Sequence, residues 1–280
     1  MYKSRLCLGV MNEKLMSVEN QIRLFKKTGF DGFFTGWSEK LADYRKVADE
    51  EKMIYQSVHA PFLNANKMWG RDSESEAATD ELIRCIDDTA SISVPIVVVH
   101  PYIGFEEKRS ITQDGLDNYG KVVERAIQKN VKIAFENVEG EEYLEALMKE
   151  FGECNNVGFC WDSGHELCYN RGKDMLSLYG NKLIATHIND NLGVSDYEGK
   201  IYWTDDLHLL PFDGINDWNN AASRLNKCGY DGILTFELTP FSKPQRHDND
   251  KYSKMDFELY IAECYARACR FAYIKNKILI

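Results

Sequence analysis

The chain lacks most of what would carry it to a membrane or a nucleic acid. No apolar run approaches the roughly twenty residues that span a bilayer. Met1-Tyr-Lys-Ser-Arg5 is followed by only six apolar or small residues before Asn12, too few for the core of a signal peptide. There is no run of lysines or arginines, and the formal charge is -10. Duplex DNA or an anionic membrane would meet a repulsive overall field unless a local basic patch reversed it. No Gly-x-Gly-x-x-Gly follows a predicted strand, and there is neither a Walker loop nor a Gly-x-Ser-x-Gly elbow, which leaves dinucleotide, P-loop and α/β-hydrolase chemistry without support. The eight cysteines, Cys7, Cys85, Cys154, Cys160, Cys168, Cys228, Cys264 and Cys269, form no Cys-x-x-Cys pair. Five or more of them read as small apolar fillers within strands and helices, as in a reducing cytosol, rather than as a disulfide framework. A soluble cytoplasmic protein acting on small molecules is the expectation.

What is present is a repeating alternation. At 280 residues with 44% hydrophobic residues, the chain is too long for one average domain but normal for a single α/β barrel. Strands are predicted over Arg5–Val10, Asp31–Trp37, Met53–Ala60, Pro95–His100, Val131–Val138, Val157–Asp162, Leu183–Asn189 and Gly232–Leu238. Helices are predicted from Ser17 to Thr28, then over Glu39–Glu51, Ser73–Ser91, Thr112–Lys129, Glu141–Phe151, Lys173–Tyr179, Trp218–Cys228 and, as the closing helix, Lys254–Tyr273. Eight strands alternating with helices imply a parallel sheet closed into a (β/α)8 TIM barrel, with residues 1–280 as one domain. The segment Asp190–Asp213 is predicted to be irregular.

The titratable residues fall where such a barrel does its chemistry. From the third strand onward, the carboxyl ends carry His59, His100, Glu136, Asp162, His187 and Glu237, one potential metal ligand per strand. These ends converge on one face of a barrel. Two short apolar runs stand out, Val157-Gly-Phe-Cys-Trp-Asp162-Ser-Gly-His165 and Ala185-Thr-His187-Ile-Asn-Asp190-Asn191, each ending in residues able to bind metal. Of six histidines, only His247 lies apart, in a polar tail. A lone histidine such as His59 or His100 is more often a hydrogen-bonded structural residue than a ligand. Glu136 and Glu237, each beside a phenylalanine in a buried strand, must instead be paired, metal-bound or protonated. Asp206 and His208 sit in an acidic loop that could simply be a solvated turn. Trp37, Trp69 and Trp203 would wall the pocket or pack in the core, and Glu139, Glu141 and Glu142 fit the negative first turn of a helix.

Glu136 in Ile-Ala-Phe-Glu-Asn, Asp162-x-x-His165, His187-Ile-Asn-Asp190, His208 before Pro-Phe-Asp-Gly, and Glu237 in Thr-Phe-Glu-Leu together resemble the xylose isomerase-like barrel superfamily. This group includes sugar-phosphate isomerases and epimerases, ketose 3-epimerases, inosose dehydratases and endonuclease IV. The resemblance covers essentially the whole chain. From the ketose 3-epimerase branch it implies one divalent cation (Mn, Co, Mg or Zn) on Glu136, Asp162, His187 and Glu237. It also implies proton transfer next to a carbonyl by the two glutamates through a metal-stabilised enediolate, with His165 on a substrate oxygen. His59, His100, His208, Trp37, Trp203 and Arg246 complete the expected substrate-binding set. Ketose 3-epimerases also carry an arginine after the seventh strand, and Asp190–Asp213 contains none.

The same residues leave two alternatives open. One is an endonuclease IV-like phosphodiesterase with two or three zinc ions, to which His59, His100, His165, Asp206 and His208 would be added as ligands; Trp69, Arg71, Lys108 and Arg109 would be its rim groups toward DNA. The other is an inosose-type dehydratase. A small carbohydrate is the expected partner, and nucleic acid is disfavoured by charge. Lys243 and Arg246 after the eighth strand supply cations for a substrate phosphate, or belong to a plain solvated loop. Many members of the group are dimers or tetramers, and no surface stripe here compels either.

Overall fold

The computed structural model describes residues 4–105 and 109–277; Lys108 lies outside them. In chain order the elements are β1 (Leu6–Gly9), α1 (Val18–Thr28), β2 (Gly32–Gly36), α2 (Leu41–Glu51), β3 (Ile54–His59), α3 (Ser73–Ser91), β4 (Ile96–Val99), α4 (Gln113–Lys129), β5 (Lys132–Glu136), α5 (Glu141–Phe151), β6 (Val157–Asp162), α6 (Ser163–Cys168), α7 (Met175–Tyr179), β7 (Leu183–His187), α8 (Trp218–Lys227), β8 (Leu234–Phe236), α9 (Asp250–Ser253) and α10 (Phe257–Lys277). The eight strands form one parallel sheet in the order β7-β6-β5-β4-β3-β2-β1-β8. Its strands are buried on both faces, as expected where helices cover a sheet outside and side chains fill it inside. This is a TIM barrel with a C-terminal closing helix.

Closure between β7 and β8 is narrow and sits beside the chemistry. The two strands meet through an Ile188–Phe236 bridge, in which the Ile188 N–H donates to the Thr235 carbonyl at 2.8 Å and the Glu237 N–H to that of Ile188 at 3.3 Å. Lower down, a side chain replaces the backbone rung, the Thr235 N–H donating to Thr186 Oγ1 at 3.0 Å. The seam therefore fixes His187 against Glu237. Inside the barrel, below the site, Val98, Ala134, Cys160 and Ala185 form a small buried cluster. Phe34 from β2 then stacks under the His187 imidazole, with centroids 4.6 Å apart. Gly9 makes room for that ring: a Cβ there would stand 2.6 Å from Phe34.

Several boundaries differ from the expectation for local reasons. The closing helix begins at Phe257 rather than Lys254 because the Asp256 carboxylate accepts from the N–H groups of Glu258 and Leu259, capping the first turn there; it runs on to Lys277. Asp174 likewise caps α7, moving its start from Lys173 to Met175. The short helix α6 was not expected; Asp162 caps it, accepting the His165 N–H at 2.7 Å. Glu139 is not in the first turn of a helix: Gly140 with φ 72° is the N-cap of α5, and only Glu141 and Glu142 follow it. All eight cysteines are free, and five of them are buried. Among the described residues no helix is long and apolar enough to cross a membrane.

Candidate metal centre

The carboxyl ends of β3 to β8 bring nine histidines and carboxylates together above this core. Glu136, at the end of β5 and 0% exposed, is the hub. Its Oε1 lies 2.9 Å from His187 Nδ1, and that nitrogen is 3.0 Å from Glu237 Oε2. Its Oε2 lies 3.3 Å from both His59 Nε2 and His100 Nε2. Three sets of ligand atoms fall within 4.8 Å of one another: Glu136, Asp162, His187 and Glu237; His59, Glu136 and His187; and His165, Asp206 and His208. Asp206 is buried rather than a solvated turn. Its Oδ2 is 2.6 Å from His208 Nε2 and 3.2 Å from Lys243 Nζ, and its Oδ1 is 3.5 Å from His165 Nε2.

Neighbouring groups aim these side chains. His59 Nδ1 donates to the carbonyl of Ala60 at 2.8 Å, which leaves Nε2 directed at Glu136. His165 Nδ1 donates to the Asn137 carbonyl at 3.0 Å, which leaves Nε2 directed at Asp206. Such a bond from the far ring nitrogen fixes tautomer and orientation in metal-binding histidines. Asp162 is held on two sides: Asn137 Oδ1 accepts its backbone N–H at 2.8 Å, and Asn189 Nδ2 donates to its Oδ2 at 2.9 Å. Gly164 permits the second contact, since a Cβ there would collide with the Asn189 carboxamide. His208 has a left-handed backbone, φ 49°, an uncommon conformation for a residue other than glycine and one that clusters at functional sites.

The electrostatics suit a cation. Burial works against charge on Glu136, yet His187, His100 and His59 outweigh it and hold its carboxyl well below the usual range. Burial opposes charge on Glu237 as well, but His187 and His208 bring it down to about 2. Asp162 is lifted by burial to about 6. Burial pulls His100 down to about 4, leaving it neutral. For His187 burial favours the neutral ring, but Glu136 and Glu237 raise it well above its ordinary value. The buried carboxylates and the His187 imidazole thus favour each other's charge. Glu136 Oε2 and His100 Nδ1 are buried without a hydrogen-bond partner, and a mixed carboxylate–imidazole donor set matches Mn, Co or Zn. The residues fit a divalent cation.

A cavity of about 610 Å³ opens above, lined by His59, His100, His165, His208 and Glu237 at its floor, together with Trp203 and Lys243. Trp37 is not in its lining; the indole N–H donates to Asp88 at 2.8 Å. Trp69 is buried, donating to the Pro101 carbonyl at 2.9 Å. Arg246 is also outside the lining, paired with Asp205 at 3.4 Å and Asp248 at 3.0 Å. Asp190 does not reach this histidine–carboxylate cluster: its carboxylate accepts from Asn191, Phe212, Asn216 and the Trp218 indole, organising the long loop. Glu139 was missed as a cavity residue. It lines the wall, accepts the Gly104 N–H at 2.9 Å, and is pushed up to about 7 by burial. Asn137 and Asn189 were visible in the motifs, but nothing in sequence gives an asparagine's partner across two strands.

The xylose isomerase-like TIM barrel family model matches residues 22–255. The uncharacterized protein y4fM of Sinorhizobium fredii is 31% identical over 277 residues, covering 85% of this chain and 86% of the relative. Among solved structures, an IolI protein with a bound zinc atom matches with a TM-score of 0.75 at 19% identity, covering 96% of this chain and 98% of that one. A D-tagatose 3-epimerase-like protein matches at 0.72 and 21% identity, covering 98% and 99%. The chain therefore belongs to the xylose isomerase-like TIM barrel family.

Proposed function

We propose that this protein is a divalent-metal-dependent isomerase or epimerase of a small carbohydrate, moving a proton next to a carbonyl. The observation that carries this reading is the group Glu136, Asp162, His187 and Glu237, with Glu237 alone of the four lining the cavity. The epimerase-like and zinc-binding neighbours agree with it. Held by those four residues, a divalent cation would polarise carbonyl and hydroxyl oxygens and offset the charge that develops as a proton leaves the adjacent carbon. Glu237 takes that proton. The return proton falls to Glu136, which first takes one up and whose Oε2 lies 3.3 Å from the His59 and His100 rings that line the cavity. His165 and His208, both on the floor, orient the sugar oxygens, and the apolar walls exclude water. Metal content of the purified protein and hydrogen–deuterium exchange into a panel of ketoses in D2O test the reading together. About one equivalent of Mn, Co or Zn, with exchange lost in Glu237→Gln, is expected; exchange at the wild-type rate in both Glu237→Gln and Glu136→Gln would overturn it.

A second reading is favoured by one observation, that His165, Asp206 and His208 form a further ligand group beside His59 and His100. Two or three zinc ions there would suit phosphoester hydrolysis. Lys243 is the only lysine or arginine among the described lining residues, and with a chain charge of -10 this opposes a DNA substrate. Two to three equivalents of zinc, with cleavage of a small phosphodiester, would move this reading to the front.

A further inference from the structure

The reading of the floor as a sugar site leaves the outer half of the cavity unexplained. At about 610 Å³ the cavity lies in the range of about 300–1,000 Å³ that holds drug-sized ligands, more than a single small sugar needs. Its outer wall is apolar: Phe62, Leu63, Ile103, Phe105, Tyr169 and Trp203. Two aromatic ladders climb from the imidazole floor toward solvent. On one side Phe62 stacks on His100, centroids 4.8 Å apart. On the other, Tyr169 stacks on His165 at 4.8 Å and Phe105 leans on Tyr169 at 5.4 Å. Trp203 is 50% exposed and Leu63 77% exposed at the rim, and exposed apolar side chains gathered at one mouth mark a contact surface.

We infer that the substrate is a sugar carrying a flat apolar ring, the sugar lying on the histidine–carboxylate floor and the ring between Phe62 and the Tyr169–Trp203 wall. This inference rests on the carbohydrate reading above. A second sugar ring in the outer half would need side chains to hydrogen-bond its hydroxyls, and the wall offers few. Asn66 is there, Glu139 already accepts the Gly104 N–H at 2.9 Å, and Lys243 is engaged with Asp206 at 3.2 Å while lying over the Trp203 ring at 5.6 Å. An aromatic substituent asks only for the stacking and apolar burial that the wall supplies.

The test is binding of paired phenyl and methyl glycosides of glucose, galactose, mannose and xylose to the metal-containing protein as purified, by calorimetry and tryptophan fluorescence, with cellobiose and lactose as two-sugar probes. At least one phenyl glycoside should bind about tenfold tighter than its methyl partner, quench Trp203, and lose most of that preference in Trp203→Ala and in Phe62→Ala. Equal affinity within every pair, no binding by any phenyl glycoside, tighter binding of a disaccharide, or a preference unchanged in both variants would each overturn the inference. Deuterium exchange into ketoses is measured in parallel. Exchange without a phenyl preference removes only the wall inference; a phenyl preference without exchange removes only the proposed reaction.

Discussion

The same strands do opposite work at their two levels. In the barrel interior Val98, Ala134, Cys160 and Ala185 pack as a small cluster without a formal charge. Two residues further along β5 and β6, and again along β7, stand Glu136, Asp162 and His187, each 0% exposed and each ionisable. Burial alone stabilises the lower layer. In the upper layer burial is a cost, offset only by paired charges and by asparagines from neighbouring strands. A barrel can thus carry a tightly packed floor and an electrostatically loaded mouth on a single set of backbones.

Breaking the upper layer at its hub should give the largest effect. Glu136→Gln removes the carboxylate that two ligand groups share, and metal affinity should fall by about 100-fold or more, read as metal content after dialysis against a weak chelator, while the circular dichroism spectrum is retained. Asn137→Ala removes no ligand but deletes the carboxamide that holds the Asp162 backbone and the Asn170 side chain, and a loss of about 10–100-fold is expected in the same measurement. If it retained metal as well as wild type, orientation by neighbouring strands would not matter here. In the lower layer, Ala134→Leu should leave metal content unchanged while overpacking the interior, lowering stability by about 1–3 kcal/mol in urea denaturation. A mutant that lost metal instead would show that the layers are coupled. The smallest effect concerns Glu139 on the cavity wall. Its folded pKa, about 7, lies above the ordinary 4.5, so the folded state binds the proton more tightly than the unfolded state. Stability is therefore lost as pH rises from 4.5 to about 7, and Glu139→Gln should be more stable by about 1 kcal/mol at pH 8 and neutral at pH 4.

Much of the mouth was legible because strand ends in a parallel barrel point the same way. Listing the residue at each carboxyl end was enough to place His59, His100, Glu136, Asp162, His187 and Glu237 on one face, and the structure gathers all six. The rim was less legible. Trp37 and Arg246 were expected to reach the substrate because of their residue type and loop, yet each is engaged elsewhere, Trp37 by Asp88 and Arg246 by Asp205 and Asp248. Trp37 is aimed by a partner 51 positions away and Arg246 in part by one 41 positions away, and neither periodicity nor spacing encodes such partners. Glu139 departs from the expected helix turn for a local reason: one glycine with positive φ at position 140 separates it from α5 and leaves it on the cavity wall.

By itself, the sequence determined the alternation of eight strands with helices, and with it the barrel and the ring of ligand residues at strand ends, because apolar runs of strand length and their terminal polar residues are local features. Only the tertiary structure decided which of these residues come within reach of one another. The narrow β7–β8 seam presses His187 against Glu237, the bonds from His59 and His165 to backbone carbonyls choose which ring nitrogen faces inward, and the long loop after β7 folds back to bury Asp206 and His208 beside His165. The contacts of His187 with Glu237, of His165 with Asn137 and of Asp206 with His165 join residues tens of positions apart, and no local pattern carries them.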